Sequence, residues 1–133
     1  MRLHQVTWLY VFVLAAIVVS ADGDWFSSVF GLIHAVPFAD KVGHFFLIGF
    51  LAFLVNLSLG ASTIWVGRIQ VLRGNLYVMV PVVLEEISQI AFPSRTFDLL
   101  DLAADAAGVF IFSRLACLTM ALYASRAQVR LEN

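Results

Sequence analysis

Residues 85–105 read EEISQIAFPSRTFDLLDLAAD and place carboxylates, an amide and an arginine between two strongly apolar segments. Both flanking segments are apolar enough to be membrane helices. An ionisable side chain at membrane depth costs free energy, so its presence there indicates a function. The stretch therefore predicts a polar site within a lipid bilayer.

The composition of the chain agrees with a membrane protein. Of its 133 residues 62% are hydrophobic and 13% are charged, and the mean hydropathy is +0.94. A soluble domain carries roughly 25% charged residues, and a chain this short could not bury so much apolar surface in water. A single cysteine, Cys117, excludes an intrachain disulfide and a cysteine-based zinc site. No clustered basic patch suggests a nucleic-acid partner.

Apolar stretches long enough to span a bilayer occur at 6–21, 45–61, 76–92 and 102–123. At ~1.5 Å per residue they reach from about 24 to 33 Å, which matches a hydrocarbon core of ~30 Å. We therefore predict an all-α polytopic membrane protein, with four transmembrane helices in a single domain over residues 1–133.

The basic residues predict the orientation, because short cytoplasmic loops carry an excess of lysine and arginine. One side of the four-helix arrangement holds Arg2, Arg68, Arg73, Arg126 and Arg130, and the other holds Lys41 and Arg95. Both termini are then cytoplasmic, loops 22–44 and 93–101 face outward, and Trp25 and Phe26 are expected as anchors at the outer interface. An alternative is a signal peptide cleaved after Val19-Ser20-Ala21, which would leave the direction of the last three helices unchanged.

Polar residues from three helices fall at one depth in this topology. Glu86 and Gln89 are three residues apart, and Asp101, Asp105 and Gly108 advance by four and then three, so each set shares one helix face. Gly108 would let a neighbouring helix approach closely. The predicted outward-facing site consists of His44, Glu86, Gln89, Arg95, Asp101 and Asp105.

The charge balance of this layer needs compensation. The acids Asp40, Glu85, Glu86, Asp98, Asp101 and Asp105 face only Lys41, Arg95 and, when protonated, His44. So many unpaired carboxylates are improbable at low dielectric. Either some carboxyls carry a proton, in which case Asp101 and Asp105 should share one, or a cation occupies the site.

Several of these residues also have purely structural interpretations. Asp98 is expected to cap the fourth helix, and Asp40 with Lys41 is expected to form a solvated interfacial pair. Glu85 is turned about 100° from Glu86 on the helix and is assigned equally to the site or to a basic partner elsewhere. Arg114 lies off the Asp101 face and is expected to snorkel toward the cytoplasm.

Two segments, DKVGHFFLIGFLAF at 40–53 and EEISQIAFPSRTFDLLDLAADAAG at 85–108, resemble the VanZ-like family of small bacterial membrane proteins. The family is named for a member associated with glycopeptide (teicoplanin) resistance. Its pattern falls here on His44, Glu86 with Gln89, Arg95, and Asp101 with Gly108, whereas Asp105 replaces a usual asparagine. The resemblance spans about residues 38–112 and implies a four-helix protein of the bacterial cytoplasmic membrane.

Three functions are consistent with these residues. The first is a non-catalytic protein whose outward pocket binds a cell-envelope component, such as a lipid-linked or cell-wall precursor, with Arg95 on a phosphate or carboxylate. The second is a membrane-embedded hydrolase or transferase with Glu86 as general base. The third, less favoured, is a proton- or cation-coupled transporter. No metal-ligand or nucleophile motif is present, and the sequence indicates no particular cofactor.

Overall fold

The computed structural model describes residues 2–23, 36–91 and 97–131 and is mostly helical. Its elements, in chain order, are α1 (Leu3–Asp22), α2 (Ala39–Ser58), β1 (Thr63–Val66), β2 (Ile69–Leu72), α3 (Arg73–Ser88) with a 3-10 turn (Gln89–Ala91), and α4 (Leu99–Leu131). Within the described residues, three stretches are long and apolar enough to cross a membrane: Leu3–Ala21, Ala39–Ser58 and Leu99–Arg130. The prediction of a helical membrane protein is confirmed at this level.

The helix limits differ from the predicted ones at the polar ends. α2 begins at Ala39 and not at residue 45, so His44 lies inside the helix and does not open it. Hydropathy misplaces this boundary because Asp40 and Lys41 are polar, yet both find partners within the protein. α2 ends at Ser58, before Gly60 and Ala61, which both adopt positive φ angles. α4 continues to Leu131, past the predicted end at residue 123.

The structure is compatible with the all-α prediction and adds one short element to it, an antiparallel hairpin of β1 and β2 between α2 and α3. Gly67 and Arg68 form its turn, and Gly67 has a φ of +62°. Glycine at the first position of a two-residue turn suits the twist of a hairpin. Two short runs rich in β-branched residues on either side of this turn are the sequence signal for the hairpin, but they are too short to be membrane spans.

Side-chain contacts define how the helices run. Thr7 Oγ1 of α1 lies 2.9 Å from Ser58 Oγ at the far end of α2, so α1 and α2 are antiparallel. α2 and α4 run parallel and are in contact from His44 with Asp105 to Asn56 with Ser113. α3 runs in the opposite direction, because Asn75 near its start reaches Ser113. The start of α2, the end of α3 and the start of α4 therefore meet at one end of the molecule.

Two glycines allow α2 and α4 to approach closely. A Cβ on Gly49 would lie 2.6 Å from Phe112 Cδ2 and 3.1 Å from the Gly108 backbone. A Cβ on Gly108 would collide with the backbone carbonyl of Phe45. Backbones that touch in this way gain dispersion contacts, which drive helix association in lipid. The predicted role of Gly108 as a point of close approach is confirmed.

Beyond this crossing, hydrogen bonds between three polar side chains connect α2, α3 and α4. Asn56, fully buried on α2, donates from Nδ2 toward Asn75 Oδ1 at 2.9 Å and Ser113 Oγ at 3.1 Å. Ser113 in turn donates to Asn75 Oδ1 at 2.6 Å. Hydrogen bonds between helices in an apolar layer set their relative register. Sequence reasoning missed this group, although an asparagine inside an apolar helix was the available signal.

Candidate functional site

The end of the molecule where α2, α3 and α4 meet carries a polar cluster. Its members come from the first turns of α2, from the end of α3 with its 3-10 turn, and from the start of α4. They are Asp40, Lys41, His44, Glu85, Glu86, Gln89, Asp98, Asp101 and Asp105. We refer to this set as the polar cluster.

Lys41 is the central cation of the polar cluster. Its ammonium donates to Asp40 Oδ2 at 2.9 Å, Asp98 Oδ2 at 2.7 Å and Asp101 Oδ1 at 2.9 Å. An ammonium has three N–H groups, so all of them are used. Only 18% of the side chain is exposed. The expected Asp40–Lys41 pair therefore forms, and Lys41 in addition bridges α2 to the start of α4.

Asp98 has two roles at the start of α4. Its Oδ1 accepts the Leu100 backbone N–H at 2.8 Å, which confirms the predicted helix cap. Its Oδ2 accepts from Lys41, and that hydrogen bond holds the pKa of the Asp98 carboxyl below its ordinary value of 3.8. Asp98 therefore remains ionised at neutral pH, as both of its donors require.

His44 faces two carboxylates of α4. Its Nδ1 lies 3.1 Å from Asp105 Oδ1 and 3.2 Å from Oδ2, and its Nε2 lies 4.0 Å from Asp101 Oδ2. Asp105 is 1% exposed, and a buried carboxylate at low dielectric needs a hydrogen-bonding or charged partner. The His44 imidazole is that partner. The imidazole therefore lies next to both of the carboxylates for which proton sharing is expected, Asp101 and Asp105.

Glu86 joins the end of α3 to the start of α4. Its carboxylate is 1% exposed and accepts the Asp98 backbone N–H at 2.7 Å. Gln89 Nε2 donates to the other Glu86 oxygen at 3.1 Å and to both Glu85 oxygens at 3.1 Å. The predicted common face of Glu86 and Gln89 is confirmed. Glu85 therefore belongs to the same hydrogen-bonded group.

The structure brings together all the predicted site residues that it describes: His44, Glu86, Gln89, Asp101 and Asp105. Arg95, Trp25 and Phe26 lie outside the described residues. Arg114 is exposed on α4, away from the polar cluster, with its guanidinium 5.1 Å from the centre of the Phe110 ring. Lys41 belongs to the polar cluster but was not among the predicted site residues. Its position one turn before His44 on the same helix was the signal that could have found it.

The chemistry available to the polar cluster is acceptance of hydrogen bonds and exchange of protons. Within the described residues, the His44 imidazole lies beside the carboxylates of Asp105 and Asp101, and neither of these is a hydroxyl or thiol nucleophile. Among residues 2–23, 36–91 and 97–131, no set of three His, Cys, Asp or Glu side chains could hold a metal ion. Carboxylate oxygens are suited to ligands rich in hydroxyl or amine groups.

We expect the His44–Asp105 pair to show strong thermodynamic coupling. His44→Phe removes the partner of a buried carboxylate and should lower stability by about 2–4 kcal/mol. Asp105→Asn should cost less, because an amide oxygen still accepts from Nδ1. In the double variant the loss should be smaller than the sum, by about 1–3 kcal/mol. Chemical unfolding of the four proteins in detergent measures this, and additive losses would contradict the pairing.

Comparison of the chain with family models, with curated proteins and with solved structures gives no match.

Proposed function

We propose that the chain is a VanZ-like protein of a bacterial cytoplasmic membrane whose polar cluster faces outward and binds a polar cell-envelope component. One observation carries the proposal. Three helices meet at one end of the bundle, and two of them each place a buried carboxylate there, Glu86 of α3 and Asp105 of α4, which are each 1% exposed. An ionisable side chain within a membrane costs free energy, so its presence there indicates a function.

In this proposal α3 and its 3-10 turn form a fourth span. α3 has 16 residues and is therefore short for an independent span. Its start contacts Ser113 through Asn75, and its end contacts Asp98 through Glu86. It therefore runs beside α4 over the same depth, and the additional turn at Gln89–Ala91 extends it further. Neighbouring helices can complete the hydrogen bonding around Pro81 within such a span.

The orientation is supported by where the arginines lie. Thr7 contacts the end of α2, so the start of α1 is at the end opposite the polar cluster. The hairpin and the last turns of α4 are at that same end. Arg2, Arg68, Arg73, Arg126 and Arg130 therefore share it. Under the rule that cytoplasmic loops are basic, the polar cluster faces outward.

The ligand class follows from the surplus of hydrogen-bond acceptors. Lys41 already donates to three aspartates, so it has no N–H left for an anion. Asp101 and Asp40 remain partly accessible and can accept from a ligand. We therefore favour a headgroup with several hydroxyl or amine groups, such as the sugar of a lipid-linked precursor. A phosphate on the same molecule would pair with Arg95.

Labelling in intact cells tests the topology. In a Cys117→Ser background, Gln70→Cys should resist an impermeant maleimide added from outside and react after the cells are opened. Phe38→Cys, at the polar-cluster end, should react in intact cells. Reaction of the cysteine at position 70 from outside would reverse the proposed orientation.

Retained lipid tests the binding function. Protein purified in mild detergent should carry a polar envelope lipid at a fixed ratio, detected by mass spectrometry of the extracted complex. Asp101→Asn should reduce that ratio severalfold, whereas Arg126→Gln at the opposite end should leave it unchanged. Equal lipid content in wild type and Asp101→Asn, with both proteins folded, would reject binding at the polar cluster.

A further inference from the structure

The hairpin between α2 and α3 has two chemically different faces. Direct cross-strand partners project to the same side of a two-stranded ribbon. The pairs Ile64 with Val71 and Val66 with Ile69 therefore form one face, which is wholly aliphatic. The pairs Thr63 with Leu72 and Trp65 with Gln70 form the other. On this second face Gln70 Nε2 donates to Thr63 Oγ1 at 2.7 Å.

Within the described residues, the protein leaves most of the aliphatic face exposed. Ile69 is 68% exposed, and Ile64 and Val66 are also exposed. A two-stranded hairpin is marginally stable in water by itself, and an exposed apolar ribbon invites aggregation. We therefore expect the aliphatic face to be buried against another apolar surface.

The position of the hairpin limits what that surface can be. Arg73 N donates to Ser62 O at 2.9 Å, which closes the base of the hairpin directly after α2. α2 is long and apolar enough to cross a membrane and ends at Ser58. Strands of four residues reach only about 13 Å at ~3.3 Å per residue. The hairpin therefore remains within reach of the bilayer surface where α2 ends.

The charged and aromatic residues of the hairpin match a bilayer interface. Arg68 at the turn and Arg73 at the base are exposed, and neither forms a salt bridge in the described part of the chain. Trp65 is 67% exposed on the face with Thr63 and Gln70. Tryptophan favours the headgroup level of membranes, and arginine is attracted to anionic lipid.

We propose that the β1–β2 hairpin lies flat in the membrane interface. Its aliphatic face rests on the acyl chains, and Arg68 and Arg73 contact anionic phospholipid headgroups. The hairpin then anchors the α2–α3 connection and sets the depth of both helices. This inference does not depend on which ligand the polar cluster binds.

Spin labelling of the full-length protein tests the hairpin's position. In a Cys117→Ser background, nitroxides are attached to Ile69→Cys on the aliphatic face and to its neighbour Gln70→Cys on the other. The protein is reconstituted in vesicles of phosphatidylcholine with an equal amount of phosphatidylglycerol. Relaxation by oxygen, which concentrates in lipid, is compared with relaxation by a water-soluble nickel chelate.

The label at position 69 should be accessible to oxygen and protected from nickel, and the label at position 70 should show the reverse. Equal nickel access at both positions would place the hairpin in water and overturn the proposal. Protection of position 69 from both reagents would show that protein covers it, either a second copy or another partner, and would also overturn the proposal. Val66→Cys provides an independent second label on the aliphatic face.

A charge variant tests the lipid preference. Arg68→Gln should move the label at position 69 toward water, seen as greater nickel access, in the vesicles that contain phosphatidylglycerol. The same change should have little effect in vesicles of phosphatidylcholine alone. Arg126→Gln, which removes an equal charge from α4, is the matched control and should leave the label unchanged. An identical effect of Arg68→Gln in both lipids would reject contact with anionic headgroups.

Discussion

Gly108→Leu is expected to abolish the native packing of α2 against α4. Even a Cβ at this position would collide with the backbone carbonyl of Phe45, and backbone cannot move aside as a flexible side chain can. Overpacking costs about 1–3 kcal/mol where side chains can yield, and the cost should be at the top of that range or above it here. Thermal unfolding in detergent should show a much lower Tm or no cooperative transition.

Gly43→Leu provides the matched control for this change. Gly43 lies on α2, and a Cβ there would meet nothing within 4 Å. The intrinsic gain in helix propensity is the same for both substitutions, so their difference isolates the packing. Similar melting of the two variants would show that the close approach of α2 and α4 is not important for stability.

Lys41→Met should also lower the stability of the protein. The substitution keeps the length of the side chain but leaves Asp40, Asp98 and Asp101 without their common donor. We expect a loss of about 1–2 kcal/mol, below that of a fully buried ion pair, because the site is partly exposed. Asp40→Asn, which removes only one of the three ion pairs, should cost clearly less. Equal losses would contradict the central position of Lys41.

The Lys41 variant should also change the response to acid. The pKa of Asp98 is below 3.8 in the folded protein because Lys41 donates to it. A lowered carboxyl pKa stabilises the fold above the unfolded pKa, and that stabilisation is lost as the pH falls through the folded value. Wild type should therefore lose stability on acidification below about pH 4. Lys41→Met should lose less over that range, as unfolding at several pH values would show.

Helix periodicity predicted the faces of the polar helices well. The spacing of Asp101, Asp105 and Gly108 is enough to place them on one side of α4, and the structure confirms it. Periodicity also paired Glu86 with Gln89. Residues three or four apart share a face in any helix, so this part of the site needs no tertiary information.

The partners across helices could not be predicted in the same way. His44 pairs with Asp105, and Lys41 pairs with Asp98 and Asp101, because of how far α2 is rotated and shifted along α4. That rotation depends on Gly49 and Gly108 together, which one sequence does not reveal. Without knowledge of this rotation, the sequence predicts only a solvated pair of Asp40 and Lys41. The hairpin does not follow from the pattern of membrane spans, because its strands of four residues are far shorter than a span.

The parallel contact of α2 with α4 has a consequence for biosynthesis. α2 is translated and inserted well before α4, so the glycine crossing and the His44–Asp105 pair cannot form until the last helix arrives. Synthesis proceeds at about 5–20 residues per second, which leaves α2 without its main neighbour for seconds. During that interval Lys41 and His44 are near the end of a helix that still lacks α4, and snorkelling of the Lys41 side chain toward the headgroups limits the free-energy cost. Chains truncated before α4 should be recognised as incomplete by membrane quality control and degraded faster than the full chain.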